Sequence, residues 1–212
     1  MIAGFEGLAV AGPLSEELAG LVARLRRSVV VVRGTPAGGG SGVVWDERGT
    51  IVTNDHVVPG PWAVIEPVAG EQLRARVVAR SRHLDLAVLA LETPPTAPLR
   101  PAPIGDSTRL RVGELVIAMG NPLGERNAVT LGVISGAAAG QATGTREVIP
   151  VSITLQPGNS GGALADVQGR VVGIPNIVVG RGLALAVPSR VIERFLATGA
   201  DSHQDGTGPI WL

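Results

Sequence analysis

The most informative stretch of the chain is Gln156-Pro157-Gly158-Asn159-Ser160-Gly161-Gly162. Its serine has a glycine at both second neighbours and another beside it. Because glycine accepts positive φ and lets a second backbone come close, this spacing predicts a tight turn that presents the Ser160 hydroxyl. Pro157 fixes one more dihedral ahead of the turn. The amides of Gly158 and Ser160 could then converge on one spot, which is the arrangement that stabilises a developing oxyanion.

Two other interpretations of this stretch compete. A glycine-rich turn can simply join two strands, with no chemistry attached. The pattern Gly158-x-Ser160-x-Gly162 also fits a nucleophile elbow, which requires a helix directly after it and a histidine later in the chain. Residues 170–174 read instead as a strand, and the only later histidine is His203, in a polar tail. The elbow is therefore disfavoured.

Composition limits the classes of protein that remain. The 212 residues are 45% hydrophobic but include only two Phe, three Trp and no Tyr, so the core must be aliphatic. With zero net charge and few aromatic residues, a nucleic-acid surface is disfavoured. The absence of cysteine excludes disulfides, thiolate catalysis and cysteine metal sites. No apolar run has the length of a membrane span, and the N-terminus lacks the features of a signal peptide.

The rest of the chain is a series of short strands framed by two helices. Apolar residues recur at helical spacing over 14–27 and again over 189–197. Between them, short strands alternate with glycine-rich turns, which predicts antiparallel sandwiches or barrels. Residues 93–103 hold five of the sixteen prolines and read as an extended connector. We therefore predict an N-terminal segment and helix (1–27), two barrels (28–103 and 104–198) and a tail (199–212), with a cleft between the barrels.

A serine hydroxyl becomes a good nucleophile only when a base takes its proton. Three histidines are candidates. His203 lies in the polar tail, and His83 follows two arginines at the entrance of a predicted strand, where exposure is expected. His56 directly follows an apolar strand and precedes Val57-Val58. A histidine there is often only a packed side chain, but His56 comes with a suitable serine and acid.

The partner acid should be largely buried, because it must hold the imidazole in one tautomer. Asp85 fits, since it lies between Leu84 and Leu86 in an apolar stretch and burying an unpaired charge is costly. An edge-strand Asp facing water is the alternative, and Asp55 is less attractive because neighbouring side chains diverge. The order His56, Asp85, Ser160 is that of chymotrypsin-like enzymes and differs from subtilisin and the α/β-hydrolases.

The sequence resembles the protease domain of the HtrA/DegP family of trypsin-like serine proteases. Seven motifs carry the resemblance, in the order and spacing of the family, and they cover nearly everything from Leu18 to Leu196: Gly40-Ser-Gly-Val-Val44, Ile51-Val-Thr-Asn-Asp-His-Val57, Asp85-Leu-Ala-Val-Leu89, Gly120-Asn-Pro-Leu-Gly124, Gly132-Val-Ile-Ser135, Pro157-Gly-Asn-Ser-Gly-Gly162 and Leu185-Ala-Val-Pro-Ser189.

This resemblance implies an all-β, chymotrypsin-like fold of two six-stranded antiparallel barrels, with an N-terminal helix and a short C-terminal helix. It implies that His56 is the general base, Asp85 the orienting acid and Ser160 the nucleophile. The amides of Gly158 and Ser160 would form the oxyanion hole. The implied reaction is peptide-bond hydrolysis through an acyl-enzyme, on unfolded or damaged polypeptides, without a metal or cofactor.

The resemblance is incomplete around the specificity pocket. Val151-Ser-Ile-Thr154 stands where the family commonly has Thr-Asp-Ala-Ala. By analogy with this fold, Thr154 would lie at the floor of the pocket, with Ile174 and Asn176 on its walls. Because no Asp stands at the floor, cleavage after Arg or Lys is disfavoured, and a small or aliphatic residue before the cut is expected.

Partners and location are implied by the resemblance alone. HtrA proteases are often trimers built on N-terminal segments, and Phe5 with the first dozen residues could serve that role. The closing residues 208–212 resemble the lead-in to a PDZ domain, which predicts a longer parent protein. The family resemblance suggests an extracytoplasmic site. Two other functions stay open: a binding or chaperone-like module with an idle triad, and an esterase, which the chain order disfavours.

Overall fold

A computed structural model describes residues 12–35, 38–68, 70–121, 128–136, 147–180 and 182–198. These residues form two helices and twelve strands. The helices are α1 (Pro13–Leu25) and α2 (Ser189–Thr198). The strands are β1 (Val29–Thr35), β2 (Gly38–Val44), β3 (Ile51–Thr53), β4 (Trp62–Glu66), β5 (Leu73–Ser81), β6 (Leu86–Leu91), β7 (Leu115–Gly120), β8 (Ala128–Ile134), β9 (Ile149–Ser152), β10 (Ala163–Asp166), β11 (Val171–Gly180) and β12 (Leu183–Pro188).

The strands close into two antiparallel barrels of six. The first has the order β1-β2-β3-β6-β5-β4, and it closes because β1 pairs with both β2 and β4. The second has the order β7-β8-β9-β12-β11-β10, and it closes through pairing of β7 with β10. The two halves of the chain therefore repeat one strand order. The predicted fold class, with a helix at each end, is confirmed.

Three aliphatic clusters hold this architecture together. One fills each barrel, around Ile65 and Leu89 in the first and around Ile134 and Leu164 in the second. The third lies between the barrels and draws on both helices as well; its members include Leu21, Leu25, Val52, Leu86, Ile117, Met119, Ile174, Ile192 and Phe195. Because burying such side chains contributes about 1.5–3 kcal/mol each, the third cluster fixes how the barrels face one another.

The first barrel differs from prediction at the start of β2. Residues 34–40 read as a loop, yet the strand begins at Gly38. A Cβ on Gly40 would lie 2.7 Å from the Ser160 carbonyl oxygen and 2.9 Å from the Val57 side chain. Glycine is needed here for close approach within a strand, and composition alone does not separate that role from a turn.

The connector between the barrels carries no strand or helix from residue 92 to residue 103, as the proline content predicts. An isolated bridge from Ile104 to Val171 then joins the chain to the second barrel. Within the residues that the structure describes, no helix is long and apolar enough to cross a membrane. The predicted tail, with His203, lies outside the described residues, as does most of the N-terminal segment.

Candidate active site

His56 and Asp85 meet at the edge of the first barrel. His56 lies in a single 3₁₀ turn (Asp55–Val57) directly after β3, and Asp85 is the last residue before β6. The Nδ1 atom of His56 lies 2.8 Å from Oδ2 of Asp85, while the backbone N–H of His56 donates to Oδ1 at 3.0 Å. The carboxylate thus holds both the ring and the backbone of the histidine. With Nδ1 occupied as a donor, Nε2 is left to accept a proton.

Burial and charge act on this pair in opposite directions. The Asp85 side chain is 16% exposed and that of His56 is 47% exposed. The hydrogen bond that the His56 ring donates to Asp85 raises the pKa of His56 above its usual value, and the charges of Asp85 and Asp55 add to this, while burial partly opposes it. The imidazolium is therefore stabilised where it stands, as a base that must hold a proton during a reaction requires.

Asp55, the neighbouring carboxylate, contacts an arginine and not the imidazole of His56. It forms an ion pair with Arg80, whose Nη1 lies 3.1 Å from Oδ1. Burial raises the pKa of the Asp55 carboxyl, and the charge of Arg80 opposes that rise. Arg80 also donates to the carbonyls of Val58 and Gly60. Asp55 therefore stabilises the loop behind the histidine, while Asp85 contacts the ring.

The Ser160 segment forms the tight turn that its glycines predict. The N–H of Asn159 donates to the carbonyl of Gln156 at 3.0 Å, and Gly158 in the third position of this turn has φ of 102°. Proline in the second position and positive φ in the third define a type II turn. Neither the amide of Gly158 nor that of Ser160 donates to another described residue. Both are free to bind an anion.

Ser41 of β2, in the first barrel, forms hydrogen bonds to this turn. Its hydroxyl donates to the Gly158 carbonyl at 2.8 Å, and its backbone N–H donates to the Ser160 carbonyl at 2.9 Å. The hydroxyl also accepts from the backbone N–H of Asn121, at 2.8 Å. Ser41 is fully buried, so these bonds are shielded from water. The carbonyls of both residues with free amides are therefore fixed by one side chain and its backbone.

A second buried residue joins the turn to the acid. The Nδ2 atom of Asn54 donates to the Asp85 carbonyl at 2.8 Å, and its Oδ1 accepts from the N–H of Gly161 at 2.6 Å. The turn, the histidine and the aspartate are thus brought to one place by contacts across the two barrels. Among the described residues the Ser160 hydroxyl itself forms no hydrogen bond with the imidazole, as is common before substrate binds.

Comparison with known proteins agrees with this geometry. A model of the trypsin-like peptidase domain matches residues 40–174, which include all of these groups. The chain belongs to the trypsin-like peptidase family. It is 43% identical over 145 residues to Protease Do-like 1, chloroplastic, of Arabidopsis thaliana, a match that covers 66% of this chain and 33% of that protein.

Two further relatives extend the similarity over more of the chain. One is Serine protease HTR4 of Rattus norvegicus, 35% identical over 191 residues, which are 87% of this chain and 39% of that protein. Another is Putative serine protease HhoA of Synechocystis, 38% identical over 174 residues, which are 77% of this chain and 44% of that protein. This trypsin-like chain therefore spans less than half the length of the relatives it matches.

The residues predicted for the specificity pocket lie in different surroundings. Thr154 is exposed after β9, and Ile174 is fully buried between the barrels. Asn176 is half-buried against Leu84, to whose carbonyl its Nδ2 donates at 3.5 Å. A small gap inside the second barrel, too narrow for a water molecule, has an apolar lining: Ala118, Val151, Ile153, Leu155, Leu164, Pro175, Ala184, Leu185 and Ala186.

Sequence reasoning named the histidine, the aspartate and the serine but missed Ser41, Asn54 and Asn121. The available signal was that Ser41 and Asn121 are small polar residues inside otherwise apolar motifs and that Asn54 directly follows an apolar strand; an unpaired polar group in such places would be costly. His83, the other histidine within the described residues, is exposed in the turn before Asp85. Across the described ranges no three His, Asp or Glu side chains cluster closely enough to hold a metal ion.

Proposed function

We propose that this chain is a serine endopeptidase that cleaves unfolded or damaged polypeptides. The observation that carries the proposal is the hydrogen bond between His56 Nδ1 and Asp85 Oδ2, formed beside a glycine turn that presents Ser160 and two free amides. Membership of the trypsin-like peptidase family and the names of the relatives support the same reaction class.

In this proposal Nε2 of His56 takes the proton of the Ser160 hydroxyl as Oγ attacks the peptide carbonyl carbon. The carbonyl oxygen becomes an oxyanion, which accepts hydrogen bonds from the amides of Gly158 and Ser160. The imidazolium, stabilised by Asp85, then gives its proton to the leaving amine, and the C–N bond breaks. Water repeats the sequence on the acyl-enzyme, with His56 again as base, and releases the second product.

The type II turn supports the role of the Gly158 amide. Types I and II differ by a flip of the peptide between the second and third residues, which here is the Pro157–Gly158 peptide. The flip decides on which side of the turn the Gly158 N–H lies. The hydroxyl of Ser41 donates a hydrogen bond to the carbonyl of Gly158 at 2.8 Å, so the turn is fixed before substrate arrives. Donors that need no rearrangement contribute most to catalysis.

For specificity, we propose that the pocket expected from the fold receives a small or medium aliphatic residue before the cut. Leu155, which directly precedes the Ser160 turn, is aliphatic, and Thr154 before it carries no charge. Thr154 stands at the surface nearby, and the assignments of Thr154, Ile174 and Asn176 to this pocket stay predictions. A pocket with Thr154 in place of a carboxylate favours small or medium aliphatic side chains, because a buried Arg or Lys would find no counter-charge there.

A second candidate function is a binding module with an idle triad, and the absence of a hydrogen bond between Ser160 and His56 favours it. Labelling with a fluorophosphonate separates the two, because only an activated serine reacts. We expect one adduct per chain, on Ser160, and no adduct in Ser160→Ala. The His56→Ala variant should label far more slowly. Absence of label on the folded wild-type chain would favour the idle module instead.

The trimer predicted from the resemblance is likewise a proposal, which sedimentation tests.

A further inference from the structure

Asn54 forms two hydrogen bonds of opposite direction, one as a donor and one as an acceptor. It is fully buried, two residues before His56. Its Nδ2 donates to the carbonyl of Asp85 at 2.8 Å, and its Oδ1 accepts from the N–H of Gly161 at 2.6 Å. A carboxylate could replace only the second bond, since it has no donor. This position therefore requires a side chain that donates and accepts at the same time, which Asn does and Asp does not.

The first bond holds a residue in an unfavourable backbone conformation. Asp85 has φ of 53°, and it is the one non-glycine residue with positive φ among the described residues. Such a conformation costs roughly 1–3 kcal/mol and persists only where the surroundings enforce it. The carbonyl is held by Asn54, and the carboxylate by the backbone N–H of His56. Together these contacts aim Oδ2 at the imidazole.

The second bond reaches the other barrel. Gly161 directly follows Ser160 and has φ of 78°. It is packed so tightly that a Cβ there would overlap the carbonyl oxygen of Ser41 and the hydroxyl of Thr53. The N–H of Gly161 therefore has a fixed direction, and Asn54 is placed to receive it. One amide group thus contacts the backbone of the acid and the backbone beside the nucleophile.

We propose that Asn54 is a positioning residue of the active site, which fixes the Asp85 carboxylate against His56 and ties both to the Ser160 turn across the barrel interface. This inference rests on the proposed function, in which those three side chains react. It is distinct from the triad itself, because Asn54 touches no reacting atom and acts through the backbones of Asp85 and Gly161.

The test compares Asn54→Ala with Ser189→Ala. Ser189 is a matched control because it too is buried and bonds two backbone groups, the Gly105 carbonyl and the Ser107 N–H, far from the site. We expect Asn54→Ala to lower kcat by about a hundredfold, as misplacement of a reacting group does, while KM changes little. Ser189→Ala should leave kcat per folded molecule unchanged, although its thermal midpoint falls.

A measurement without substrate separates this inference from the proposed function. We would follow the His56 ring by NMR as pH is varied. The charges of Asp85 and Asp55 act on this ring, and those of Arg80 and Arg82 act on Asp55. Of these four charged groups, Asn54 contacts only Asp85. We expect the pKa of His56 to fall towards about 6.5 in this variant and to stay raised in Ser189→Ala.

Several outcomes decide the matter. A lowered His56 pKa in Asn54→Ala supports the positioning role even if the wild-type chain hydrolyses nothing. An unchanged pKa together with a kcat within about twofold of wild type overturns it. If Asn54→Ala does not fold, Asn54→Asp replaces it, because that side chain keeps the shape and the bond to Gly161. Full activity in Asn54→Asp would equally contradict the proposal, since it cannot donate to Asp85.

Discussion

At His56, one carboxylate sets the protonation chemistry of the proposed reaction. The hydrogen bond that the His56 ring donates to Asp85 raises the pKa of His56 above 6.5 in the folded chain. A general base must be neutral, so activity should rise as pH increases through this raised pKa. The contribution of His56 to folding stability changes with pH in the opposite direction. The folded state binds the proton more tightly, so this contribution is fully present below about 6.5 and is lost as pH rises through the folded pKa.

The resulting prediction concerns the pH dependence of kcat/KM on a peptide substrate. The acid limb of the wild-type profile should have its midpoint above 6.5. In Asp85→Asn the hydrogen-bonded charge is gone, so kcat should fall by about 10⁴-fold, the size of effect known for this substitution in a Ser-His-Asp triad. The midpoint of the residual activity should move to lower pH. A wild-type midpoint below about 6.5 would contradict the role of Asp85.

At this scale, sequence identified the residues with titratable or nucleophilic chemistry. His56, Asp85 and Ser160 stand in short motifs whose order is informative. The conformation of Asp85 was not predictable, because its apolar neighbours favour a strand, whereas the residue lies at positive φ just before β6. Asn54 and Ser41 were not identified from sequence for a related reason. Their side chains form hydrogen bonds to residues 31 to 117 positions away along the chain, and no local pattern shows such contacts.

The Ser160 turn is the element on which the proposed chemistry depends, and Gly161 is its tightest point. A Cβ there would overlap backbone and side-chain oxygens of the first barrel. Gly161→Ala should therefore displace the turn and abolish labelling of Ser160. Gly113→Ala is the matched control, since Gly113 has φ of 92° and a Cβ added to it would have nothing within 4 Å.

Both substitutions place an L-residue at positive φ, which costs about 1–2 kcal/mol. Only the first adds an overlap at the barrel interface. We expect Gly113→Ala to lower the thermal midpoint modestly and to keep full labelling by fluorophosphonate. Equal labelling of the two variants would show that the turn tolerates displacement and that close approach at Gly161 is not required.

The elements themselves were largely predictable from periodicity. β-branched runs such as Val29–Val32 form strands, and α2 begins at Ser189 as the apolar spacing indicates. The predicted start of β2 was wrong because three successive glycines, residues 38–40, resemble a loop. Gly39 and Gly40 are in a strand, where the backbone of β1 and the Ser160 turn leave no room for side chains. That information belongs to the assembled barrels.

Across the whole molecule, the site exists only because the two barrels face one another. His56 and Asp85, the proposed base and acid, come from the first barrel and the Ser160 turn comes from the second, while the shared cluster of α1, α2 and both barrels sets their spacing. The chain order and the repeated strand pattern predicted this division. The relative placement of the barrels could not be read from sequence, because it follows from side-chain packing between distant segments.

Casein digestion tests whether Ser160 is the nucleophile of peptide hydrolysis. The wild-type chain and Ser160→Ala would each be incubated with casein, and mass spectrometry would identify the cut sites. We predict that the wild-type chain produces peptides cut after small or aliphatic residues and that the variant produces none. Cleavage that persists at the wild-type rate in Ser160→Ala, or a folded wild-type chain that leaves casein intact while Ser160 resists labelling, would contradict the account.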